Sequence, residues 1–190
     1  MRRGACGTEG EEFALSDVQT MTGVDTQQPF WYAIHTRSRH EKVVRDQFGA
    51  KGITHLLPLY LKRSIWKDRV KMVEVPLFGG YIFGHFALQD RLQVLQTVGV
   101  VRLVGLTGVP EPVPEEQIEA IRAMIENRLP YDPHPYLKEG MMVRVKRGPL
   151  AGTEGVLVEK KKHFRFVINV DLIQKSVAVD IDSADVEAVG

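Results

Sequence analysis

The segment Val75-Pro-Leu-Phe-Gly-Gly-Tyr-Ile-Phe83 joins a turn to the start of a strand that is rich in aromatic residues. The glycine pair within it favours a turn, because glycine accepts backbone angles that other residues avoid. Beyond the turn, alternation along the strand places Tyr81 and Phe83 on one face and Ile82 on the other. Some of these side chains must therefore pack inside a folded domain.

A strand and a helix are predicted before this segment. Residues 30–36 are aromatic and β-branched, which predicts a buried strand. The pattern Ser38-x-x-Glu41 that follows is a capping box, and it predicts a helix that carries Val43, Val44 and Phe48 inward.

The rest of the first domain completes an α+β pattern. Residues 53–61 and 70–77 are strand-like and flank a polar connection at residues 62–69. Pro114 suits the first position of a later helix, where its missing N–H removes no hydrogen bond. The order of these elements predicts an antiparallel sheet with packed helices over residues 29–128.

A proline-rich segment separates a second domain of different character. Leu129-Pro-Tyr-Asp-Pro-His-Pro-Tyr136 cannot form a helix or a central strand, and it favours an extended connection. We assign the linker to residues 129–137 and the second domain to residues 138–190. Short strand-like segments in this domain, separated by turns, predict a small five-stranded β-barrel of the SH3-like kind.

Composition limits the classes of function. A formal net charge of +1 over 190 residues excludes a protein that coats DNA through a large excess of Lys and Arg. Cys6 is the single cysteine, which excludes an intramolecular disulfide and fits a reducing cytoplasm. The polar stretch of residues 1–28 predicts a disordered tail and not a signal peptide. No apolar run is long enough to cross a membrane.

The stretch from Gly140 to Glu159, GMMVRVKRGPLAGTEGVLVE, resembles the KOW motif. It contains an alternating strand, a Gly-Pro-hydrophobic turn, a short loop and a second alternating strand. The motif residues are Gly148, Pro149, Leu150, Gly152 and Gly155. Gly148 and Pro149 are expected to turn the chain, and Leu150 is expected to close the end of the barrel. Gly152 and Gly155 are expected to allow unusual backbone angles or close packing. A single glycine of this set would fit any hairpin.

The first domain resembles the N-terminal domain of the NusG family. That family has a Trp-Tyr opening, present here as Trp31-Tyr32, and a later Pro-Leu-Phe-Pro-Gly-Tyr-x-Phe segment, which residues 75–83 match. Gly79 replaces the second proline of the pattern, which loosens the turn and keeps its direction. With the KOW motif, the resemblance covers residues 30–190.

The resemblance implies a transcription elongation factor that suppresses pausing and modulates termination or antitermination. In the family, the N-terminal domain docks through a hydrophobic depression on the clamp helices of the largest RNA polymerase subunit. Phe78, Tyr81 and Phe83 lie on the matching motif and are the expected RNA polymerase contacts. A monomeric cytoplasmic protein that needs no cofactor is expected.

Basic residues concentrate in one part of the first domain. Ten Lys or Arg lie between positions 37 and 71, against three acidic residues. Arg37 and Arg39 occupy positions where specialised relatives touch the exposed non-template DNA strand. Lys67 and Arg69 lie beside a tryptophan, which suits phosphate contact with base stacking. We expect DNA contact at these four positions, and a solvated charged face is the alternative interpretation.

Departures from the family pattern leave two forms of the function open. Housekeeping members usually carry an Ile-Phe-Gly-Arg type loop that contacts a ribosomal protein or the Rho terminator. Residues 172–179 read LIQKSVAV here, without the Phe and the Gly. The chain is therefore more similar to specialised UpxY-like paralogs, and binding of a ribosomal protein or Rho through the KOW domain stays open.

Two other classes of protein share some of these features. A ribosome-associated RNA-binding KOW protein would explain residues 138–190 and would leave the two motifs of the first domain unexplained. An enzyme is not indicated, because the glycines of the KOW motif are followed neither by Gly-Lys-Ser/Thr nor by a helix, as a phosphate-binding loop requires. His35 and His40 have no cysteine or carboxylate cluster that would complete a metal site.

Overall fold

The computed structural model describes residues 25–66, 69–106, 108–134, 136, 140–160 and 163–189. The predicted tail up to residue 24 lies outside the described residues, and so does Lys67. The described chain forms α-helices, two larger sheets and two small hairpins. Within it, no helix has both the length and the apolar character needed to cross a membrane.

Runs of strands lie between the helices along the chain, as an α+β pattern predicts. The helices are α1 (Glu41–Ala50), α2 (Arg91–Leu95) and α3 (Glu115–Glu126). The strands of the first part are β1 (Pro29–Thr36), β2 (Thr54–Leu56), β3 (Leu59–Trp66), β4 (Arg69–Pro76), β5 (Tyr81–Ala87), β6 (Val100–Leu103), β7 (Gly105–Leu106) and β8 (Val109–Pro110). The later strands are β9 (Tyr131–His134), β10 (Met141–Val145), β11 (Glu154–Lys160), β12 (His163–Val170), β13 (Lys175–Ile181) and β14 (Val186–Ala188).

The first sheet has four antiparallel strands in the order β2-β5-β1-β6. On one face, Val44 and Phe48 of α1 pack in the same apolar cluster as Ile82. The prediction that Val43 also points inward is wrong, because successive helix positions face different directions and Val43 is 47 % exposed. On the other face, Ile121 of α3 belongs to the cluster that contains Phe83. The two faces of β5 are therefore those that its alternation predicts. The predicted sheet with packed helices is confirmed.

Helix α1 begins differently from the prediction. Its first residue is Glu41, and His40 before it makes no capping hydrogen bond through its side chain. Ser38 lies in the preceding turn, so the predicted capping box between Ser38 and Glu41 does not form. The Glu41 side chain is buried, and its carboxylate binds a turn elsewhere in the first sheet instead.

The second sheet has six antiparallel strands in the order β14-β10-β11-β12-β13-β9. The predicted five-stranded barrel is not confirmed, because β9 adds a strand and no pairing of β9 with β14 closes the sheet in the described part of the chain. Strand β9 comes from the predicted linker, with Pro133 opposite Val177. An edge position tolerates proline, since the missing N–H has no neighbouring strand to bond.

Arg165 fastens β9 to the rest of the second sheet. Its guanidinium lies 3.0 Å from the carboxylate of Asp132 on β9 and 3.1 Å from that of Asp180 on β13. Its Nη2 also donates to the Ala178 carbonyl at 3.2 Å. Arg165 is 8 % exposed, so these charged partners offset the cost of its burial. Part of the predicted linker is therefore built into the sheet.

Helix α3 also contacts the second sheet. Ile118 and Ile121 share one apolar cluster with Phe166 and Ile168 of β12. At the edge of this contact, the Gln117 side-chain amide donates to the Asp171 carboxylate at 2.9 Å. The apolar core thus continues across the position at which the sequence predicts a boundary between domains.

Candidate functional site

The turn between β4 and β5 sets the geometry of the candidate site. The Tyr81 N–H closes it by donating to the Phe78 carbonyl at 3.0 Å. Gly80 has φ +84°, as the third residue of a type II turn requires. Gly79 is exposed, and a Cβ at this position would meet no atom within 4 Å. The turn therefore needs glycine only at the second of the two positions.

Gly80 is held through both of its backbone groups. Its N–H donates to Glu41 Oε1 at 2.7 Å, and its carbonyl accepts from the Thr36 N–H at 2.8 Å. The Glu41 side chain is 6 % exposed, and a hydrogen bond to an ionised acceptor is stronger than a neutral one. These two bonds fix the turn to the end of β1 and to the first residue of α1.

Tyr81 lies at the edge of the first sheet beside this turn. It is opposite His35 in the register of β1 and β5, and the two ring centroids are 5.4 Å apart with 44° between their planes. The tyrosine ring is half-buried and packs against the cluster that contains Phe83. Tyr81 therefore combines a fixed position with surface that remains open to a partner.

Phe78 and Phe83 lie inside the core. They are 2 % and 0 % exposed, and their rings meet edge to face at 5.9 Å with 86° between the planes. The sequence predicts direct partner contact for both residues, but in this structure neither ring reaches the surface. Both belong to the cluster against which Tyr81 packs.

Arg37 and Arg39 lie in the short connection between β1 and α1, and both are exposed. Arg39 has φ +63° and lines a groove of about 550 Å³ that also contacts Gly80. Lys42 lines the same groove, but its Nζ lies 3.8 Å from the Glu74 carboxylate. The structure thus brings the predicted DNA-contacting loop next to the turn that carries Tyr81.

The hairpin of β3 and β4 carries the other predicted DNA contacts. The two strands pair continuously from Leu59 opposite Pro76 to Trp66 opposite Arg69. The segment of residues 62–69, predicted as a polar connection, is therefore mostly strand. Lys67 and the side chain of Arg69 lie outside the described part of the chain.

The residues that resemble the KOW motif lie between β10 and β11 and at the start of β11. Leu150 is 4 % exposed, and Gly148 and Gly152 have φ values of +89° and +86°. At Gly155, a Cβ would lie 2.6 Å from the Val167 carbonyl oxygen. Only glycine allows β11 to pass this close to β12.

A larger groove of about 1190 Å³ lies between α3 and the second sheet. Gln117 and Asp171 line it, and the Tyr136 hydroxyl donates to the Asp171 carboxylate at 2.8 Å. This hydrogen bond raises the pKa of Tyr136. The buried Gln117 Oε1 has no hydrogen-bond partner among the described residues. The sequence gives no sign of the groove, because its two walls are distant in the chain.

Sequence reasoning does not identify Glu41 and His35 as parts of the site. The local pattern assigns Glu41 to a capping box, and it presents His35 only as an isolated metal-ligand candidate. Their roles depend on the register of β1 against β5 and on the position of α1. In the part of the chain that the structure describes, no group of three His, Cys, Asp or Glu residues is placed to hold a metal ion.

Comparison with known proteins identifies relatives. The family model described as transcription termination factor nusG matches residues 29–122, beginning where β1 begins. The transcription termination/antitermination protein NusG of Helicobacter pylori is 26 % identical over 172 residues, which cover 84 % of this chain and 98 % of that protein. The protein of the same name from Campylobacter jejuni is 29 % identical over 174 residues, with 84 % and 97 % covered.

A solved structure shows the same fold. It is described as the domain interaction in Thermotoga maritima NusG, and it matches with a TM-score of 0.54 at 20 % sequence identity. The match covers 87 % of this chain and 99 % of that chain. The likeness in fold therefore extends over most of this chain.

Proposed function

Because this chain belongs to the NusG family through its domain at residues 29–122, we propose that it binds RNA polymerase during elongation, suppresses pausing and modulates termination. The relatives from Helicobacter pylori and Campylobacter jejuni are termination/antitermination proteins. The expected docking partner is the pair of clamp helices in the largest polymerase subunit. On this proposal the protein is a cytoplasmic monomer that acts by binding and catalyses no reaction.

The position of Tyr81 is the observation that carries the docking proposal. Its ring is half-buried, tilted by 44° against His35 and packed on the apolar cluster that contains Phe83, so contact with a partner would cost little conformational entropy. Aromatic residues held in this way dominate the binding energy of many protein interfaces. Phe78 and Phe83 act in this account by holding Tyr81 in place.

Arg37 and Arg39 are proposed to contact the non-template DNA strand next to the docking site. Both are exposed, and neither forms an ion pair with any residue that the structure describes. Phosphate contacts need accessible cations of this kind. Lys67 and Arg69 at the hairpin end would extend the same contact.

The second sheet is proposed to be a KOW module of the SH3-like barrel type over residues 138–190. It would recruit a second partner, and a ribosomal protein or Rho would be the partner of a housekeeping factor. Attachment to a polymerase-bound domain would raise the local concentration of that partner near the transcript. The departure at residues 172–179 favours the operon-specific form.

Binding to purified core RNA polymerase tests the docking proposal. Tyr81→Ala should weaken the affinity by about tenfold, a loss typical of an aromatic anchor. Tyr81→Phe keeps the ring and should bind like the wild-type protein. A urea unfolding curve for each variant separates lost binding from lost folding. Unchanged affinity of a folded Tyr81→Ala protein would contradict the docking site.

A further inference from the structure

Four aliphatic side chains on and beside α1 and α2 are open to solvent. Leu92 and Leu95 are three residues apart in α2, so they are neighbours on its surface. Val98 lies in the turn that follows α2, and Val43 lies on α1. The exposed fractions are 52 % for Leu92, 37 % for Leu95, 65 % for Val98 and 47 % for Val43. We call these four residues the α1–α2 patch.

One glutamine of α1 joins the two parts of the patch. The side-chain Nε2 of Gln47 donates to the Val98 carbonyl at 2.9 Å and to the Val43 carbonyl at 3.2 Å. Just beyond the end of α1, Lys51 Nζ donates to the Gln93 carbonyl at 3.0 Å. These bonds hold α1 against the end of α2, and they make Val43 and Val98 neighbours.

The patch lies on the side of the first sheet that faces away from the second sheet. Val44 of α1 and Val94 of α2 belong to the apolar cluster on the α1 side. Tyr81 packs against the other cluster, which also contains Phe166 of the second sheet. Within the described chain, neither the proposed polymerase contact nor the second sheet therefore covers the patch. Adjacent exposed aliphatic residues of this kind mark interaction sites more often than solvated surface does.

The first residues of the chain are attached next to this patch. The Gln89 N–H donates to the Thr26 carbonyl at 3.1 Å, and Thr26 is buried. Gln89 precedes Leu92 by three residues, which is a helical rise of about 5 Å. An extended residue spans at most about 3.6 Å, so residues 22–25 are long enough to reach Leu92. The segment before residue 22 is therefore tethered within reach of the patch.

The composition of this segment suits an aliphatic surface with a basic border. Residues 9–22 read EGEEFALSDVQTMT, and they combine apolar with acidic side chains. The apolar ones are Phe13, Leu15, Val18 and Met21, and the acidic ones are Glu9, Glu11, Glu12 and Asp17. No Lys or Arg occurs between residues 4 and 36. The segment therefore offers apolar contact together with negative charge only.

Two cations border the patch. The Arg37 N–H donates to the Gly99 carbonyl at 2.8 Å, which places Arg37 beside Val98. Lys51 lies at the other border, through its bond to Gln93. Both side chains belong to exposed residues, and neither forms an ion pair with any residue that the structure describes. The charges of the patch border and of residues 9–22 are thus complementary.

We propose that residues 9–22 fold back and bind the α1–α2 patch of their own chain, with their carboxylates towards Arg37 and Lys51. A short flexible tether gives an effective concentration in the millimolar range, which favours this segment over a second copy of the chain. Disordered segments can become ordered on binding, so the composition that predicts a disordered tail is compatible with this contact. The contact is independent of the proposed function.

A spin label on the single cysteine tests this contact in the full chain. Cys6 lies three residues before the proposed segment, so a nitroxide on its Sγ reports the position of that segment without any substitution. In nuclear magnetic resonance spectra, the label should broaden the amide signals of Gln47 and of residues 92–98. The amide signals of residues 164–168 in β12 should keep their intensity. The same protein with the nitroxide reduced gives the reference intensities.

Variants separate binding from simple tethering. Leu92→Ser with Val98→Ser changes two exposed residues, and it should restore most of the lost intensity at Gln47. Phe13→Ser with Leu15→Ser should restore it equally while the patch stays intact. Met141→Ser, at an exposed position of β10, is the control and should leave the broadening unchanged. Equal broadening in the wild-type protein and in both double variants would overturn the inference, because tethering alone would then explain it.

A mixed sample identifies the chain that is bound. Isotope-labelled protein without the nitroxide is mixed with an equal amount of spin-labelled protein that carries no isotope label. The amide signals of the isotope-labelled chain should keep their intensity, since the contact is made within one chain. Broadening at residues 92–98 in this sample would show that the segment binds a second copy, and it would overturn the inference.

Discussion

The buried carboxylate of Glu41 accepts a hydrogen bond from the Gly80 N–H at 2.7 Å, and this bond joins α1 to the turn before β5. If the turn that contains Gly80 moved, the Glu41 carboxylate would remain buried without this partner. A buried ionised group without a partner is costly. The position of Tyr81, one residue beyond the bond, therefore depends on a helix that lies on the opposite face of the sheet.

Glu41→Ala should lower the free energy of unfolding by about 2 kcal/mol, because a hydrogen bond to a charged group contributes about 1.5–3 kcal/mol. Urea unfolding followed by circular dichroism measures the change. Asp46→Ala is the matched control, since Asp46 lies on the same helix and its side chain is 68 % exposed. If the free energy of unfolding falls equally in the two variants, the hydrogen bond to Gly80 contributes no additional stability.

Gly79→Pro should stabilise the protein by about 0.5–1 kcal/mol, because proline favours this turn position and restricts the unfolded chain. A Cβ at Gly79 meets no atom within 4 Å, and its N–H donates no backbone hydrogen bond within the described chain. Gly80→Ala should destabilise instead, since Gly80 has φ +84°. Thermal unfolding compares both. A lower melting temperature for Gly79→Pro would exclude the type II geometry.

Arg39→Gly should separate stability from function. Arg39 has φ +63°, which costs about 1 kcal/mol for a residue with a side chain, and glycine relieves this strain while adding freedom to the unfolded chain. The free energy of unfolding should therefore change little. The suppression of polymerase pausing in a single-round transcription assay should weaken, because a charge that is proposed to contact DNA is lost. The assigned role would be contradicted if the variant unfolds more easily and still suppresses polymerase pausing as the wild-type protein does.

The faces of β5 are predictable from sequence because they depend only on alternation. Tyr81 and Phe83 fall on one side and Ile82 on the other, and the two apolar clusters confirm this division. Burial is harder to predict. The motif places Phe78 near a docking surface, but the turn directs its ring into the core, where it meets Phe83 edge to face.

Features that depend on contacts between residues far apart in the sequence cannot be predicted from local sequence patterns. The carboxylate of Glu41 binds Gly80 instead of its own helix end. Residues 131–134 of the proline-rich segment form an edge strand, and Asp132 of this strand lies 3.0 Å from Arg165 of β12. Residues 62–69 contain many polar side chains and suggest a loop, although alternation over two exposed faces also fits a strand. A single local pattern cannot distinguish these outcomes.

Asp132→Asn should loosen the attachment of β9 to the second sheet. The substitution removes one charged partner of Arg165, which is 8 % exposed, and leaves Asp180 as the other. Hydrogen exchange of amides in residues 131–134 should therefore become faster while that of β12 stays slow. Asp182→Asn, on an exposed carboxylate that does not contact Arg165, is the control. Unchanged exchange at β9 would show that backbone pairing alone holds the strand.

Tyr32→Phe should keep or raise stability at neutral pH. Tyr32 is fully buried, and its hydroxyl has no hydrogen-bond partner among the described residues. A buried hydroxyl without a partner costs about 1–3 kcal/mol, so its removal is favourable. Urea unfolding at neutral pH measures the difference. A large loss of stability would reveal a hydrogen bond that forms in solution.

The same substitution should change the response of the protein to alkaline pH. Burial raises the pKa of Tyr32 from 10.0 to about 12. Between these values the unfolded state binds fewer protons than the folded state, so the free energy of unfolding falls as the pH rises. Tyr32→Phe removes this contribution, and the variant should lose less stability than the wild-type protein across that interval. The pKa of Tyr131 is also raised by burial, but this effect is common to both proteins and cancels in the comparison. Equal losses in the two proteins would mean that the Tyr32 hydroxyl ionises as freely in the folded chain as in the unfolded one.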